Sequence, residues 1–91
     1  MISVILGFKN ESSNLEELIS RTVSTLENTR EKYEIIFIDD DSKDDSRKII
    51  LNEIEKNKNL KYIKLSRNFG IAQSLICGLE NCSGDAIVYL D

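Results

Sequence analysis

Two short stretches of the sequence are apolar at nearly every position, and they limit the fold more than any other feature. Ile2 to Phe8 and Glu34 to Ile38 have the length of β-strands and are rich in β-branched residues. A strand with one solvated face alternates apolar and polar residues, whereas a strand covered on both faces is apolar throughout. The two runs therefore predict interior strands of a sheet that has helices on both faces.

Each of these strands is followed by a stretch with helical periodicity. Ser13 and Glu16 have the spacing of a capping box, which predicts that the first helix starts at Ser13. Ser42 with Asp45 is predicted to cap the second helix. The apolar face of the first helix is formed by Leu15, Leu18, Ile19, Val23 and Leu26, and that of the second by Ile50, Leu51 and Ile54.

Two further strands and one further helix complete a repeating pattern. Leu60 to Leu65 and Asp85 to Leu90 are predicted strands, and a third helix is predicted from Gly70. The order β-α-β-α-β-α-β is typical of a Rossmann-like, three-layer α/β fold with a parallel sheet and right-handed crossovers. We expect the strand order 3-2-1-4, which opens a crevice between strands one and four at the carboxyl edge of the sheet.

Composition excludes several classes of function. The chain has 91 residues, 12 Lys and Arg against 16 Asp and Glu, and no His. The net charge of −4 gives no basic surplus for a nucleic acid, and no apolar run is long enough to span a bilayer. Without His, chemistry must use carboxylates, hydroxyls, Lys, Arg or a bound metal. Cys77 and Cys82 are placed too far apart around a helix to pair, which fits a reducing cytoplasm.

Polar groups collect at the predicted carboxyl edge of the sheet. Asp39 and Asp40 stand at the tip of a buried strand, where a carboxylate can accept hydrogen bonds from a nucleobase or a ribose. Capping and solvation explain Asp44 and Asp45 better. Arg67, in the loop Ser66 to Gly70, suits either a phosphate or one of the aspartates. Neither a Gly-x-Gly-x-x-Gly motif nor a P-loop is present.

In this order and spacing the motifs resemble those of the N-terminal half of inverting family 2 glycosyltransferases of the GT-A fold, and of the dolichol- or polyprenyl-phosphate sugar synthase branch in particular. The resemblance covers essentially the whole chain. The matching segments are Asn10-Glu11 with Asn14-Leu15, Tyr33 to Ile36 leading to Asp39-Asp40 and Ser42, Leu65 to Gly70, Gly84-Asp85, and Leu90-Asp91.

The resemblance implies a site for a nucleoside diphosphate sugar. Asp40, with Asp39 beside it, matches the acidic position that recognises the base, and Asp91 matches the first acid of the Asp-x-Asp motif, which binds ribose and a divalent cation, Mg²⁺ or Mn²⁺. The implied nucleotide-binding residues are Phe8, Asn10, Glu11, Asp39, Asp40, Ser66, Arg67 and Asp91, and the implied metal ligand is Asp91. The implied reaction is a single displacement at the sugar C1, with polyprenyl phosphate as the acceptor. The expected location is the cytoplasm and, for the parent enzyme, the inner face of the membrane.

Departures from the family pattern leave the base undecided. Gly7 and Lys9 stand where Pro and Tyr are usual, and Asp41 and Lys43 stand where Gly and Thr are common. Residues 1–91 are expected to be the N-terminal nucleotide-sugar-binding part of a GT-A domain, cut at the first acid of the Asp-x-Asp motif. The second acid and any catalytic residue would then lie beyond Asp91, so these residues alone are expected to be inactive.

Two alternative hypotheses about the function, and one expectation about self-association, complete the predictions. The chain could be a short nucleotide- or metal-binding module without transferase activity. A receiver-like phosphoacceptor domain is disfavoured, because its acid pair would follow strand one, where this chain has Asn10-Glu11. The apolar fourth strand, left at an open edge, is expected to pair with a second copy of the chain.

Overall fold

A computed structural model describes residues 1–65 and the backbone of residues 86–90. Its elements are β1 (Ile2–Phe8), α1 (Ser12–Asn28), β2 (Tyr33–Asp39), α2 (Ser46–Lys56), β3 (Leu60–Lys64) and β4 (Ala86–Leu90). The third predicted helix lies outside the described residues. Neither α1 nor α2 is long and apolar enough to cross a membrane.

The four strands form one parallel sheet in the order β3-β2-β1-β4, which confirms the predicted order. Phe8 at the end of β1 is paired with Asp39 at the end of β2, so these two strands finish level with each other. On the other side of β1, Leu6 is paired with Leu90. The chain adds β2 and β3 on one side of β1 and then returns to add β4 on the other side. The switch point of the topology therefore lies between β1 and β4, and ligands bind at such switch points in open α/β sheets.

One face of the sheet carries both described helices. Two consecutive right-handed crossovers that progress in the same direction put their helices on the same face. Leu15, Ile19 and Leu26 of α1 and Ile50 of α2 are buried against Phe37 and its neighbours on this face. The expectation for Leu51 is wrong: its side chain is 40% exposed, because the inward face of α2 is formed by Ile50 with the partly buried Ile49 and Ile54.

The opposite face of the sheet is also buried. Ile5, Ile36 and Ile38 form a second apolar cluster on this face and have no exposed surface. Both faces of β1 and β2 are therefore covered, which is what the continuous apolar runs predict. This face also holds a buried carboxylate, Glu34, which accepts hydrogen bonds from Ser3 Oγ at 2.5 Å and from Lys61 Nζ at 2.6 Å.

The starts of both helices differ from the sequence prediction. Helix α1 begins at Ser12, with Glu11 in the cap position and no side-chain cap, so the predicted Ser13 capping box is wrong. Helix α2 begins at Ser46 and is likewise not capped by Ser42 or Asp45. The physical reason is that tertiary contacts use these groups: Glu11 N and Ser12 N donate to Ser46 Oγ and Asp44 Oδ2. The predicted cap of α2, Ser42 Oγ, accepts a hydrogen bond from Asn10 N. A local capping box is unnecessary where a tertiary contact supplies the acceptor.

Candidate functional site

The candidate site is the carboxyl edge of β1 and β2, where the two βα loops run side by side. Asp40 N donates to Phe8 O at 2.9 Å, so the ladder between the strands extends one residue past β2. Residues 9–11 of the first loop and residues 40–45 of the second leave the sheet together at this edge. Their polar side chains therefore occupy one small region of the surface.

Asp39 is a structural member of this edge. Its side chain has no exposed surface. One carboxylate oxygen, Oδ1, accepts a hydrogen bond from Ser42 N at 2.8 Å, and the other, Oδ2, accepts one from Tyr62 Oη at 2.6 Å. Asp39 thus ties the start of the β2–α2 loop to the neighbouring strand β3. A buried carboxylate costs several kcal/mol of solvation unless such partners surround it.

The pKa of Tyr62 is raised in this environment. Burial raises the pKa of its phenol, and the hydrogen bond to Asp39 and the negative charge of Asp39 raise the pKa further, against a smaller opposing effect of Arg47. Tyr62 is therefore a neutral donor at any physiological pH. No signal in the sequence marks Tyr62, because its role depends on how β3 is aligned with β2.

Four hydrogen bonds join the β1–α1 loop and the first residue of α1 to the β2–α2 loop and the first residue of α2. In two of them Asn10 takes part, because Asn10 N donates to Ser42 Oγ at 2.8 Å and Lys43 N donates to Asn10 Oδ1 at 2.7 Å. In the other two, Glu11 N donates to Ser46 Oγ at 3.1 Å and Ser12 N donates to Asp44 Oδ2 at 3.1 Å. We call these four contacts the loop clasp. Through them the two loops form a single hydrogen-bonded unit.

The backbone turns sharply at one residue in each loop. Asn10 has a φ of 53° and Asp41 a φ of 64°, both in the left-handed region. Asn and Asp tolerate this region better than other residues with a side chain. Asp41 also pairs with Lys43, whose Nζ lies 3.1 Å from Asp41 Oδ1 on the surface. Both left-handed residues lie in the loops that the loop clasp joins.

Asp44 is an exposed carboxylate that accepts several hydrogen bonds at the start of α2. Its Oδ1 accepts from Ser46 N at 3.0 Å and from Ser46 Oγ at 2.6 Å. Desolvation acts to raise the pKa of Asp44, but the hydrogen bonds from Ser46 and Ser12 outweigh it and lower the pKa to about 2. Asp44 and Asp45 precede the helix and do not lie within its first turn. The capping interpretation of Asp44 fits these contacts.

The structure places only part of the predicted nucleotide-binding set. Asn10 and Glu11 are exposed in the first loop, and Asp40 is 7% exposed at the tip of β2. Phe8 is buried, with its side chain in the main core cluster beneath the loop. Ser66, Arg67 and Asp91 lie outside the described residues. Sequence reasoning missed Ser46 as well as Tyr62, and it identified Ser42 as a helix cap and as part of the motif shared with the family, not as a contact between the loops.

A cavity of about 330 Å³ lies between the end of β1 and the first turns of α1. Its lining includes Leu6, Phe8, Lys9, Glu11 and Asn14. Within the part of the chain that the structure describes, no group of three His, Cys, Asp or Glu residues is arranged to hold a metal ion. The expected metal ligand, Asp91, is outside that part.

Comparison with known sequences gives a consistent picture. The model of "Glycosyl transferase family 2" matches residues 3–91. An uncharacterized glycosyltransferase of Synechocystis sp. is 34% identical over 90 residues, which cover 99% of this chain and 28% of that protein. An undecaprenyl-phosphate 4-deoxy-4-formamido-L-arabinose transferase of Pseudomonas savastanoi pv. phaseolicola is 32% identical over 91 residues, 99% of this chain and 27% of that protein. The chain thus spans about a quarter of the length of these relatives.

Comparison with solved structures shows the same fold. S. aureus TarS, residues 1–349, matches with a TM-score of 0.82 and 23% identity over 99% of this chain and 26% of that one, and it has also been solved in complex with UDP. The mannosyltransferase PcManGT from Pyrobaculum calidifontis, in complex with GDP-Man and Mn²⁺, matches with a TM-score of 0.73 and 21% identity over 94% of this chain and 25% of that one. The fold is that of GT-A glycosyltransferases. With a family model matched over nearly its whole length, the chain belongs to glycosyl transferase family 2.

Proposed function

We propose that this chain is the nucleoside-diphosphate-sugar-binding part of a glycosyltransferase, and that the nucleotide binds at the carboxyl edge of β1 and β2. The observation that carries the proposal is the strand order β3-β2-β1-β4, which puts the acidic end of β2 next to the switch point between β1 and β4. Family membership and the UDP and GDP-Man complexes of the structural neighbours support the same ligand class.

The two adjacent aspartates have different parts in this proposal. Asp39 is fully buried and both of its oxygens accept hydrogen bonds within the fold, so it holds the loop. Asp40 continues the β ladder, and the alternation of side chains directs its carboxylate to the other face of the sheet. Asp40 is the acid that we assign to the base, where a carboxylate accepts hydrogen bonds from the ring N–H groups.

The charge at this edge indicates which portion of the ligand the described residues can bind. Glu11 and the five aspartates between Asp39 and Asp45 outnumber Lys9 and Lys43 in these loops, so a diphosphate placed among them would be repelled. Base and ribose, which donate hydrogen bonds, suit such an acceptor-rich surface. The diphosphate needs positive charge from elsewhere, and the candidates are Arg67 and a divalent cation such as Mg²⁺ or Mn²⁺ held with the help of Asp91. When bound, that cation would neutralise the charge of the leaving diphosphate.

The reaction of the whole enzyme is proposed from the relatives. The relative from Pseudomonas savastanoi pv. phaseolicola is named as an undecaprenyl-phosphate sugar transferase, which makes a polyprenyl phosphate the proposed acceptor here. In a single displacement, the acceptor oxygen forms a bond to the sugar C1 as the bond from C1 to the diphosphate breaks. We assign none of the described residues to the acceptor, and we expect residues 1–91 alone to transfer no sugar. A lipid acceptor would place the reaction at a membrane, and action at its inner face belongs to the same proposal.

Titration calorimetry with UDP and GDP, with and without Mn²⁺, tests the proposed ligand. We expect a dissociation constant for one of them of roughly 100 μM to 1 mM for this chain. Asp40→Asn keeps the size of the side chain but removes its charge, and it should weaken binding about ten-fold or more. Asp45→Asn is the matched control, since it makes the same change at an exposed position of the same loop. Equal binding by Asp40→Asn and Asp45→Asn would remove Asp40 from the site.

A further inference from the structure

Asn10 joins the two loops of the site through both its backbone and its side chain. Its backbone amide donates a hydrogen bond to Ser42 Oγ, and its side-chain Oδ1 accepts one from Lys43 N at 2.7 Å. The two contacts are reciprocal, since each loop supplies one backbone donor and one side-chain acceptor. Their partners are 32 and 33 residues away in the sequence, so both contacts are tertiary.

The residue type at position 10 meets two requirements at once. A φ of 53° demands a residue that tolerates the left-handed region, and the Lys43 amide demands a side-chain acceptor close to the backbone. Asn and Asp satisfy both requirements, whereas Gly satisfies only the first. The two properties can therefore be separated by substitution.

The contact made by Asn10 extends into the core of the fold. Ser42, which accepts from Asn10, donates its own amide to Asp39 Oδ1 at 2.8 Å. Asp39 is in turn fixed by Tyr62 of β3. The exposed tip of the first loop is thus connected, through three successive hydrogen bonds that pass through the buried Asp39, to the partly buried Tyr62 of the third strand.

We propose that Asn10 is a positioning residue, whose side chain aligns the β1–α1 and β2–α2 loops so that both meet the nucleotide in one fixed arrangement. This inference rests on the proposed function of the same edge. A ligand that contacts two loops binds only the fraction of molecules in which the loops are aligned, so its apparent affinity falls with that fraction. Alignment before binding also spares the ligand the entropy of ordering the loops.

Three variants of the chain test this role by nucleotide titration. Asn10→Gly keeps the left-handed turn and removes the acceptor, and it should weaken binding of UDP or GDP roughly five-fold, as expected if the aligned fraction falls to about a fifth. Asn10→Asp restores the acceptor and should bind within about two-fold of the wild type. Its added charge is screened by measuring at about 0.5 M salt, where the Debye length is roughly 4 Å.

Arg30→Gly is the matched control for the backbone. Arg30 also has a left-handed φ, of 60°, but it lies between α1 and β2, at the amino-terminal end of the strands and away from the site. This variant should bind like the wild type. Circular dichroism at the titration temperature confirms that each variant is folded, so that a change in affinity is separated from a change in stability.

Each outcome has a distinct meaning. Binding by Asn10→Gly within two-fold of the wild type would overturn the positioning role. Weak binding by both Asn10→Gly and Asn10→Asp would also overturn the positioning role, because this result would show that the side-chain nitrogen of Asn10, Nδ2, contacts the ligand directly. A wild-type chain that binds neither nucleotide would overturn the proposed function, and this inference with it. Faster hydrogen exchange of the Lys43 amide in Asn10→Gly, with normal exchange in Asn10→Asp, is the expected ligand-independent signature.

Discussion

Replacing Tyr62 by Phe removes one hydroxyl group from the contact that anchors the β2–α2 loop. The hydroxyl donates to Asp39 Oδ2 at 2.6 Å, and the Asp39 side chain is fully buried. Hydrogen bonds to charged groups contribute about 1.5 to 3 kcal/mol, and the buried acceptor loses a partner that water cannot replace. We therefore expect Tyr62→Phe to lower the free energy of unfolding by about 2 kcal/mol.

Urea unfolding followed by circular dichroism measures this loss. For a chain of this size, about 2 kcal/mol corresponds to a decrease of roughly 8 to 16 °C in the midpoint of thermal unfolding. Tyr33→Phe is the matched control, because the Tyr33 hydroxyl accepts a hydrogen bond from Asn57 Nδ2 at 3.0 Å, a contact between neutral groups. This control should cost about 1 kcal/mol or less.

The dependence on pH gives a second test of the Tyr62 contact. The pKa of Tyr62 is raised above its ordinary value of 10.0, so the neutral phenol stabilises the fold below pH 10 and this contribution is lost as the pH rises above 10. The difference in stability between the wild type and Tyr62→Phe should therefore shrink above pH 10. A loss no larger than that of Tyr33→Phe, or a difference that does not change with alkaline pH, would refute the reasoning.

Two further predictions concern Asp44 and β4. The pKa of Asp44 is lowered from 3.8 to about 2, so its carboxylate stabilises the fold above pH 3.8 and this contribution is lost as the pH falls toward 2. When the free energy of unfolding is measured against pH, its decrease below pH 3.8 should be smaller for Asp44→Asn than for Asp45→Asn. An equal decrease in the two variants would contradict the assignment. β4 lies at one edge of the described sheet, and we predict that its unpaired side forms a two-fold dimer. Sedimentation velocity at about 100 μM should then show a dimer that Val88→Lys abolishes, and a wild-type monomer would count against the proposal.

The sheet could be predicted from the sequence for clear physical reasons. Strands covered on both faces need apolar side chains at successive positions, and the run Ile35 to Ile38 has them. Right-handed crossovers leave few arrangements for four such strands, and a crevice between strands one and four requires the order that the structure has. Hydrophobic pattern and chain connectivity predict the parallel strands, and the acids after strands two and four select their order.

The details of the site could not be predicted in the same way. The predicted start of α1 was wrong because the Ser12 amide is satisfied by Asp44, a residue 32 positions away, and not by a neighbour along the chain. The role of Tyr62 depends on strand register: Asp39 is paired with Lys64, so Tyr62 lies two residues back on the same face of β3. Local spacing carries no information about either relation. The hydrogen bond between Asn10 and Ser42 can be predicted only when the positions of both loops are already known.

Chemical-shift mapping of the isotopically labelled chain tests the central claim most directly. Addition of UDP or GDP should shift the backbone amide signals of residues 9–12 and 40–46, which form the carboxyl edge of β1 and β2. The amides of residues 30–32 and 57–59, at the opposite edge of the sheet, should stay unchanged. Shifts confined to that opposite edge, or no shifts with either nucleotide at millimolar concentration, would contradict a nucleotide site at the carboxyl edge.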